Sequence, residues 1–309
     1  MYFCGKTKRI ALNDDFYKNF MNIEGYDFQL RYLDPDDKRK SRSPNASLFS
    51  LFDPEDNKVT QVIKFCSVYT PCKIPHLCLR LDRFDREIQA LRRVQQEGNS
   101  HHVIEILADG HQKISGKTFR YYTMEIAHED LATFLRTREI ERQQKFLLCA
   151  EIIECISALH DLGIYHRDIK PGNFLFTDSG NWKIADLGLI DSREEDLAAV
   201  DDGDLRERIG PRGFMSPEAL NRWLGLGWPV PAIDNKSDVF QLARVMGLIL
   251  QDKAFCGQLE PTDFLPVDER ETLFELLSGA FQYDRDRRFD IGQFRECFLN
   301  RFGKKYVIE

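Results

Sequence analysis

Hydrophobic and polar positions change their rhythm near residue 127. Before it, the apolar runs are short and β-rich. FQLRYL, ASLFSLF and KVTQVIKF read as strands, with DPEDNK as the hairpin turn between the last two. RLDRFDREIQALRRVQ places Phe84, Ile88 and Leu91 on one helical face, with Glu87 beside them. VIEILADG and FRYYTMEIA add two strand-like segments. Beyond Ala127 the period becomes helical. FLLCAEIIECISALHDLG is amphipathic and ends at Gly163, and VFQLARVMGLIL is apolar nearly all round, the mark of a helix buried in a core. ETLFELLSGAF and IGQFRECFL are further helices. The expectation is an α+β fold with a small β-rich lobe followed by a larger helical one, and a cleft between such lobes is a favoured ligand site.

Composition narrows the class. The 309 residues are 42% hydrophobic, enough for one large domain or two lobes. A formal net charge of −7 gives no general attraction for nucleic acid or an anionic membrane, and neither partner is expected. The first residues lack the apolar core of a signal peptide, and no later run is long enough to span a bilayer, so a soluble, cytoplasmic protein is expected. The eight cysteines form no Cys-x-x-Cys pair. Cys66, Cys72, His76 and Cys78 cluster loosely, but their spacing matches no common zinc site, and they read as reduced thiols packed as small apolar groups.

Three motifs carry chemistry. YHRDIKPGNFLF spans residues 165–176, KIADLGLI residues 183–190 and GFMSPEAL residues 213–220. His166-Arg167-Asp168 with Lys170 and Asn173 resembles the catalytic loop of protein kinases. Asp186-Leu187-Gly188 resembles their Asp-Phe-Gly, and Ser216-Pro217-Glu218 their Ala-Pro-Glu. Gln61-Val62-Ile63-Lys64 is similar to Val-Ala-Ile-Lys, with Glu87 where the family's helix-C glutamate stands. Asp238 resembles the start of the buried helix F, and Arg288 the late arginine that pairs with Glu218. The resemblance covers about residues 26–300. It implies a bilobal kinase fold, with an N-terminal extension at 1–25, one lobe at 26–125 and the other at 126–309.

The resemblance also implies roles. Asp168 would accept or orient the proton of the substrate hydroxyl, and Lys170 would stabilise the transferring phosphoryl group. Asn173 and Asp186 would ligate Mg²⁺, with Mn²⁺ as the alternative metal. Lys64, steered by Glu87, would hold the α- and β-phosphates of ATP. Leu48 and Val62 would cover one face of adenine and Leu175 the other, with Glu125 and Ala127 as hinge backbone groups and Met124 guarding the pocket. An apolar column from Leu91 through Leu187 to His166 would join helix C to the catalytic loop, and Gly188 completes its motif. The partners implied are ATP and a protein substrate. The expected activity is a Ser/Thr protein kinase; the alternative is a pseudokinase acting as a binding scaffold.

Three departures matter. Counting back from Lys64 sets SRSPNASLF on the family's glycine-rich phosphate loop, with Ser41, Ser43 and Ala46 at the three glycine positions. Such residues restrict the close approach of backbone N–H groups to an anion, and Pro44 removes a donor, although the serine hydroxyls, Arg42 or Lys40 offer substitutes. Next, the segment between Gly188 and Ser216 has no threonine or tyrosine. Ser192 is its obvious acceptor. A carboxylate among Glu194, Glu195, Asp196, Asp201, Asp202, Asp204 and Glu207 is expected to replace the activating phosphate beside Arg167. Last, Pro211 stands where many Ser/Thr kinases carry threonine, while Lys170 favours Ser/Thr specificity. Control is expected from these loops, from residues 1–25 or from a regulatory partner.

Overall fold

The computed structural model describes residues 1–41, 43, 45–193, 197–198, 208–226, 232–255 and 257–307. It divides into two compact units, one of residues 1–95 and 104–126, the other of residues 96–103 and 127–309.

The first unit is built on a hairpin and a sheet. Strands β1 (Tyr2–Cys4) and β2 (Arg9–Ala11) pair antiparallel. Then β3 (Phe20–Ile23), β4 (Tyr26–Arg31), β5 (Ala46–Asp53), β6 (Lys58–Thr70), β7 (Ile106–Ile114) and β8 (Lys117–Met124) form one sheet in the order β3-β4-β5-β6-β8-β7. The 54–57 turn joins β5 and β6 as the sequence suggests. Helix α1 (Pro75–Gln96) follows β6. One sheet face carries Phe49, Leu51, Ile63 and Phe65, packed with Phe28, Leu30, Ile10 and Leu12. Residues 1–25 therefore contribute both a strand to the sheet and apolar side chains to the core. The pleat sends Leu48, Val62 and Lys64 to the opposite face.

In the second unit β9 (Ala127–Asp130) leads into α2 (Leu131–Thr137) and α3 (Arg142–Asp161). Gly163, at φ +69°, closes α3, a conformation that glycine adopts without steric cost. Strands β10 (Ile164–Tyr165), β11 (Phe174–Thr177), β12 (Trp182–Ile184) and β13 (Asp191–Ser192) then give two small sheets, β12-β11-β9 and β10-β13. Helices α4 (Pro217–Leu224), α5 (Asn235–Gln251), α6 (Arg270–Ala280) and α7 (Ile291–Phe298) follow, and α7 runs into a π-helical segment, Leu299–Val307. As its apolar circumference predicts, α5 is buried on all sides, with Val239, Leu242, Ala243, Val245, Met246 and Ile249 each fully enclosed. None of the helices among the described residues is long and apolar enough to cross a membrane.

Candidate functional site

In the first unit the site is made by strand register. Lys64 faces Leu48 across one ladder and Tyr122 across the other, while Val62 faces Met124. Cross-strand partners share a sheet face, so Leu48, Val62, Lys64, Tyr122 and Met124 line one surface. The periodicity of α1 brings Glu87 to it. Lys64 Nζ donates to Glu87 Oε1 at 2.8 Å and Oε2 at 3.0 Å, and the Tyr122 hydroxyl donates to Oε1 at 3.1 Å. Both charged side chains are buried. A buried pair persists only where geometry and extra hydrogen bonds offset desolvation, and the tyrosine supplies one such bond. Leu48 and Val62 are half-buried, Met124 is buried, and the Glu125 N–H donates to Glu105 O at 3.1 Å. Leu91 is buried on α1.

The stretch set on the glycine loop, residues 41–49, divides between the connection that follows β4 and strand β5, which already begins at Ala46. Residues 38–41 form a 3-10 turn. Ser41 is buried, and its Oγ accepts the Leu33 N–H at 2.9 Å. This hydroxyl supports the turn from inside, which argues against its expected use as a substitute donor for phosphate. Ser43 N–H donates to Ala46 O at 3.1 Å and Ser67 N–H to Asn45 O at 2.9 Å. Arg42 and Pro44 lie outside the described residues.

In the second unit a buried helix dictates the loop. Asp238 on α5 has no solvent exposure, so its carboxylate needs partners. Oδ2 accepts the His166 N–H at 2.7 Å and contacts His160 Nε2 at 2.9 Å, while Oδ1 accepts the Arg167 N–H at 2.7 Å. One turn on, Gln241 Oε1 accepts the Ile169 N–H at 2.6 Å and its amide nitrogen donates to Arg167 O at 3.2 Å. These bonds hold Arg167 at φ +66°, a left-handed conformation costly for a non-glycine residue. Gly210, at φ +109°, approaches the same carbonyl: a Cβ there would lie 3.4 Å from Arg167 O, and Pro211 follows it, buried.

The loop then presents its polar side chains. Lys170 Nζ donates to Asp168 Oδ2 at 2.6 Å. Asn173 Nδ2 donates to Asp168 O at 2.8 Å and Oδ2 at 3.3 Å. His166 Nδ1 accepts the Asp168 N–H at 3.2 Å, and Nε2 lies 3.0 Å from Ala185 O, an arrangement that suits the Nε2–H tautomer. Ala185 N–H donates to Asn173 O at 2.9 Å, which sets Asp186 beside Asn173. Asp186 is exposed, at φ +65°, between buried Ala185 and Leu187, and Gly188 is half-buried after it. Leu175, half-buried on β11, pairs with Lys183, and Ala127 pairs with Thr177. Glu218 takes Arg288 through both oxygens at 2.7 and 3.1 Å, and the Ser237 hydroxyl donates to Oε1 at 2.5 Å. Burial pushes the Glu218 carboxyl up, but the Arg288 guanidinium and the Ser237 hydroxyl overcome it and hold the group below the usual glutamate range.

Arg167 has a carboxylate partner that the sequence reading did not single out. Its Nη1 lies 3.4 Å from Asp191 Oδ2. The carboxylates expected there, Glu194, Glu195, Asp196, Asp201, Asp202, Asp204 and Glu207, lie outside the described residues. Ser192 is buried, in the β10–β13 pairing opposite Ile164. Asp191 directly follows the apolar Leu189-Ile190, and that adjacency is the signal that could have found it. Tyr122, Gln241 and His160 were also missed. The alternation of FRYYTM, set against the Lys64 strand, would have shown the first of these.

Asp186 and Asn173 bring hard oxygen donors together, and the bonds to Asp168 use the amide nitrogen of Asn173 while its oxygen stays out of them. That donor set suits Mg²⁺, which is held by few protein oxygens together with water and phosphate. Among the described residues no group of three or more His, Cys, Asp or Glu side chains could enclose a metal. Cys66 is buried, which pushes its thiol up to about 11, and Cys72 Sγ donates to Ile74 O at 3.5 Å.

A family model for the protein kinase domain matches residues 56–293. Among curated proteins, the serine/threonine-protein kinase STK11 of Rattus norvegicus is 29% identical over 236 residues, which cover 72% of this chain and 50% of that protein. The dual specificity protein kinase Ttk of Danio rerio is 30% identical over 131 residues, 42% of this chain and 13% of that protein. The CBL-interacting serine/threonine-protein kinase 20 of Arabidopsis thaliana is 29% identical over 143 residues, 46% and 30% of the two chains. The matched stretches thus span half or less of these relatives' lengths.

Proposed function

The chain belongs to the protein kinase family, and from that premise we propose that it transfers the γ-phosphoryl group of ATP to serine or threonine hydroxyls of proteins. The observation that carries this reading is the Asp168 carboxylate, held between Lys170 and Asn173 on a loop whose backbone is fixed by Asp238 and Gln241. A carboxylate so placed can take the proton of an incoming hydroxyl, and Lys170 beside it can neutralise charge on the transferring group. Lys64, oriented by Glu87 and Tyr122, would bind the α- and β-phosphates. Leu48, Val62, Met124 and Leu175 would enclose adenine, with Glu125 and Ala127 offering backbone groups. Asp186 and Asn173 would hold Mg²⁺, which supplies charge neutralisation at the phosphates when bound. Lys170 supports Ser/Thr specificity, as do the serine/threonine kinases among the relatives.

The reading extends to control. Arg167 meets the carboxylate of Asp191 where many kinases place an activating phosphate, and Ser192 is buried. Both support activity that needs no phosphorylation of this segment. A second reading, a scaffold without transfer, is favoured by one observation: the Ser41 hydroxyl turns inward. Transfer of labelled phosphate from ATP to a generic basic protein separates the two. Wild type should transfer, and Lys64→Ala and Asp186→Ala should not. Transfer that survives both substitutions overturns the mechanism, and none from wild type leaves the scaffold.

A further inference from the structure

The described residues of the 41–46 turn have no positive φ. Ser41, Ser43, Asn45 and Ala46 therefore hold their places without the backbone freedom that glycine would provide, and Ser43 and Ala46 are also held from outside. The hold comes from the N-terminal hairpin. Arg9 on β2 donates through Nη1 to Ala46 O at 3.2 Å, and through the same nitrogen to Ser43 O. Ser43 and Ala46 are two of the three residues at glycine positions. Arg9 is itself well fixed, because Ile10 beside it is in the sheet core and Phe3 on the paired strand packs on Tyr69 and Phe119, with centroids 5.8 and 5.2 Å away.

We propose that Arg9 is a positioning residue for the nucleotide: it holds the Ser43 and Ala46 carbonyls and so presets these two positions for the phosphates of ATP. This inference rests on reading residues 41–46 as the phosphate loop. A glycine-rich loop must be ordered when ligand binds, and that ordering subtracts from affinity. A loop clamped beforehand escapes this cost. Removing the clamp therefore weakens binding of the phosphates and leaves recognition of the base alone.

Calorimetric titration of the full chain with Mg-ATP and, separately, with adenosine tests this. Arg9→Ala should weaken ATP about tenfold, equal to about 1.4 kcal/mol, with adenosine binding unchanged. Arg9→Lys keeps the charge without the planar fork, preserves the fold if Arg9→Ala does not, and should give a smaller loss confined to ATP. Wild-type ATP affinity in the folded variants, or equal weakening of ATP and adenosine, overturns the inference. Replacing residues 41–46 by a Gly-Ser linker tests the underlying reading. An unchanged ATP affinity there removes the phosphate loop itself, while a loss there with no loss in the Arg9 variants removes only the role of Arg9.

Discussion

Two stretches, Ser43 and Ala46 in the first unit and residues 166–169 in the second, are held by opposite chemistry. The catalytic-type loop gives its backbone N–H groups to acceptors, the Asp238 carboxylate and the Gln241 amide, on a buried helix. The serine-rich turn gives its carbonyls to a donor, Arg9, on a short hairpin. The first set of anchors is fully buried and charged on the acceptor side, so losing it would strand several donors away from water. The second lies near the surface, where water can replace a lost bond. The comparison teaches that a loop's rigidity is set by where its partners are buried more than by its own composition.

Substitutions can sharpen that contrast. Asp186→Ala should have the largest effect, a loss of transfer of roughly a thousandfold or more, with the fold kept because the side chain is exposed; a labelled-phosphate assay beside a melting curve checks both. Asp238→Ala should abolish transfer by a different route, lowering stability by about 3 to 5 kcal/mol as buried donors lose their acceptor, measured by denaturant unfolding. A fully stable Asp238→Ala protein would break the comparison. Asp191→Ala should reduce transfer about tenfold, the size of losing one charged hydrogen-bond partner, while phosphatase treatment of wild type changes nothing. Loss of activity on dephosphorylation, mapped to the 189–215 segment, would refute the carboxylate reading.

The smallest effect is confined to acid. Glu218 has a folded pKa below its unfolded one. Its contribution to stability is therefore fully present above the unfolded value and is lost as pH falls through the folded value. Unfolding midpoints of wild type should decline on acidification across that window, and those of Glu218→Gln, already lower at neutral pH, should decline less. Parallel curves would remove Glu218 from the account.

Much of this was legible in the sequence because several residues each announced themselves through local pattern. The 3.6 period put Glu87 beside a helical face, the apolar circumference of α5 showed its burial, and the spacing of His166 to Asn173 marked the loop. Other features depend on neighbours remote in sequence. Arg9 meets Ala46 only because β2 packs beside β5, and no pattern in MYFCGKTKRI signals it. Strands β1, β2 and β3 are three or four residues long, too short for alternation to register, so residues 1–25 read as an extension. Asp191 stands alone in a two-residue strand just before the acidic run, and its approach to Arg167 depends on a contact that no local pattern encodes.

The placement of Asp238 makes the state of the helical core readable from outside. Because α5 supplies the atoms that shape residues 166–169, a molecule whose core has loosened cannot keep that loop in register. Turnover per molecule should then report the intact fraction in an all-or-none way. Under heat or denaturant, the proposed activity would fade in step with core packing instead of ahead of it, making the protein a gauge of its own integrity.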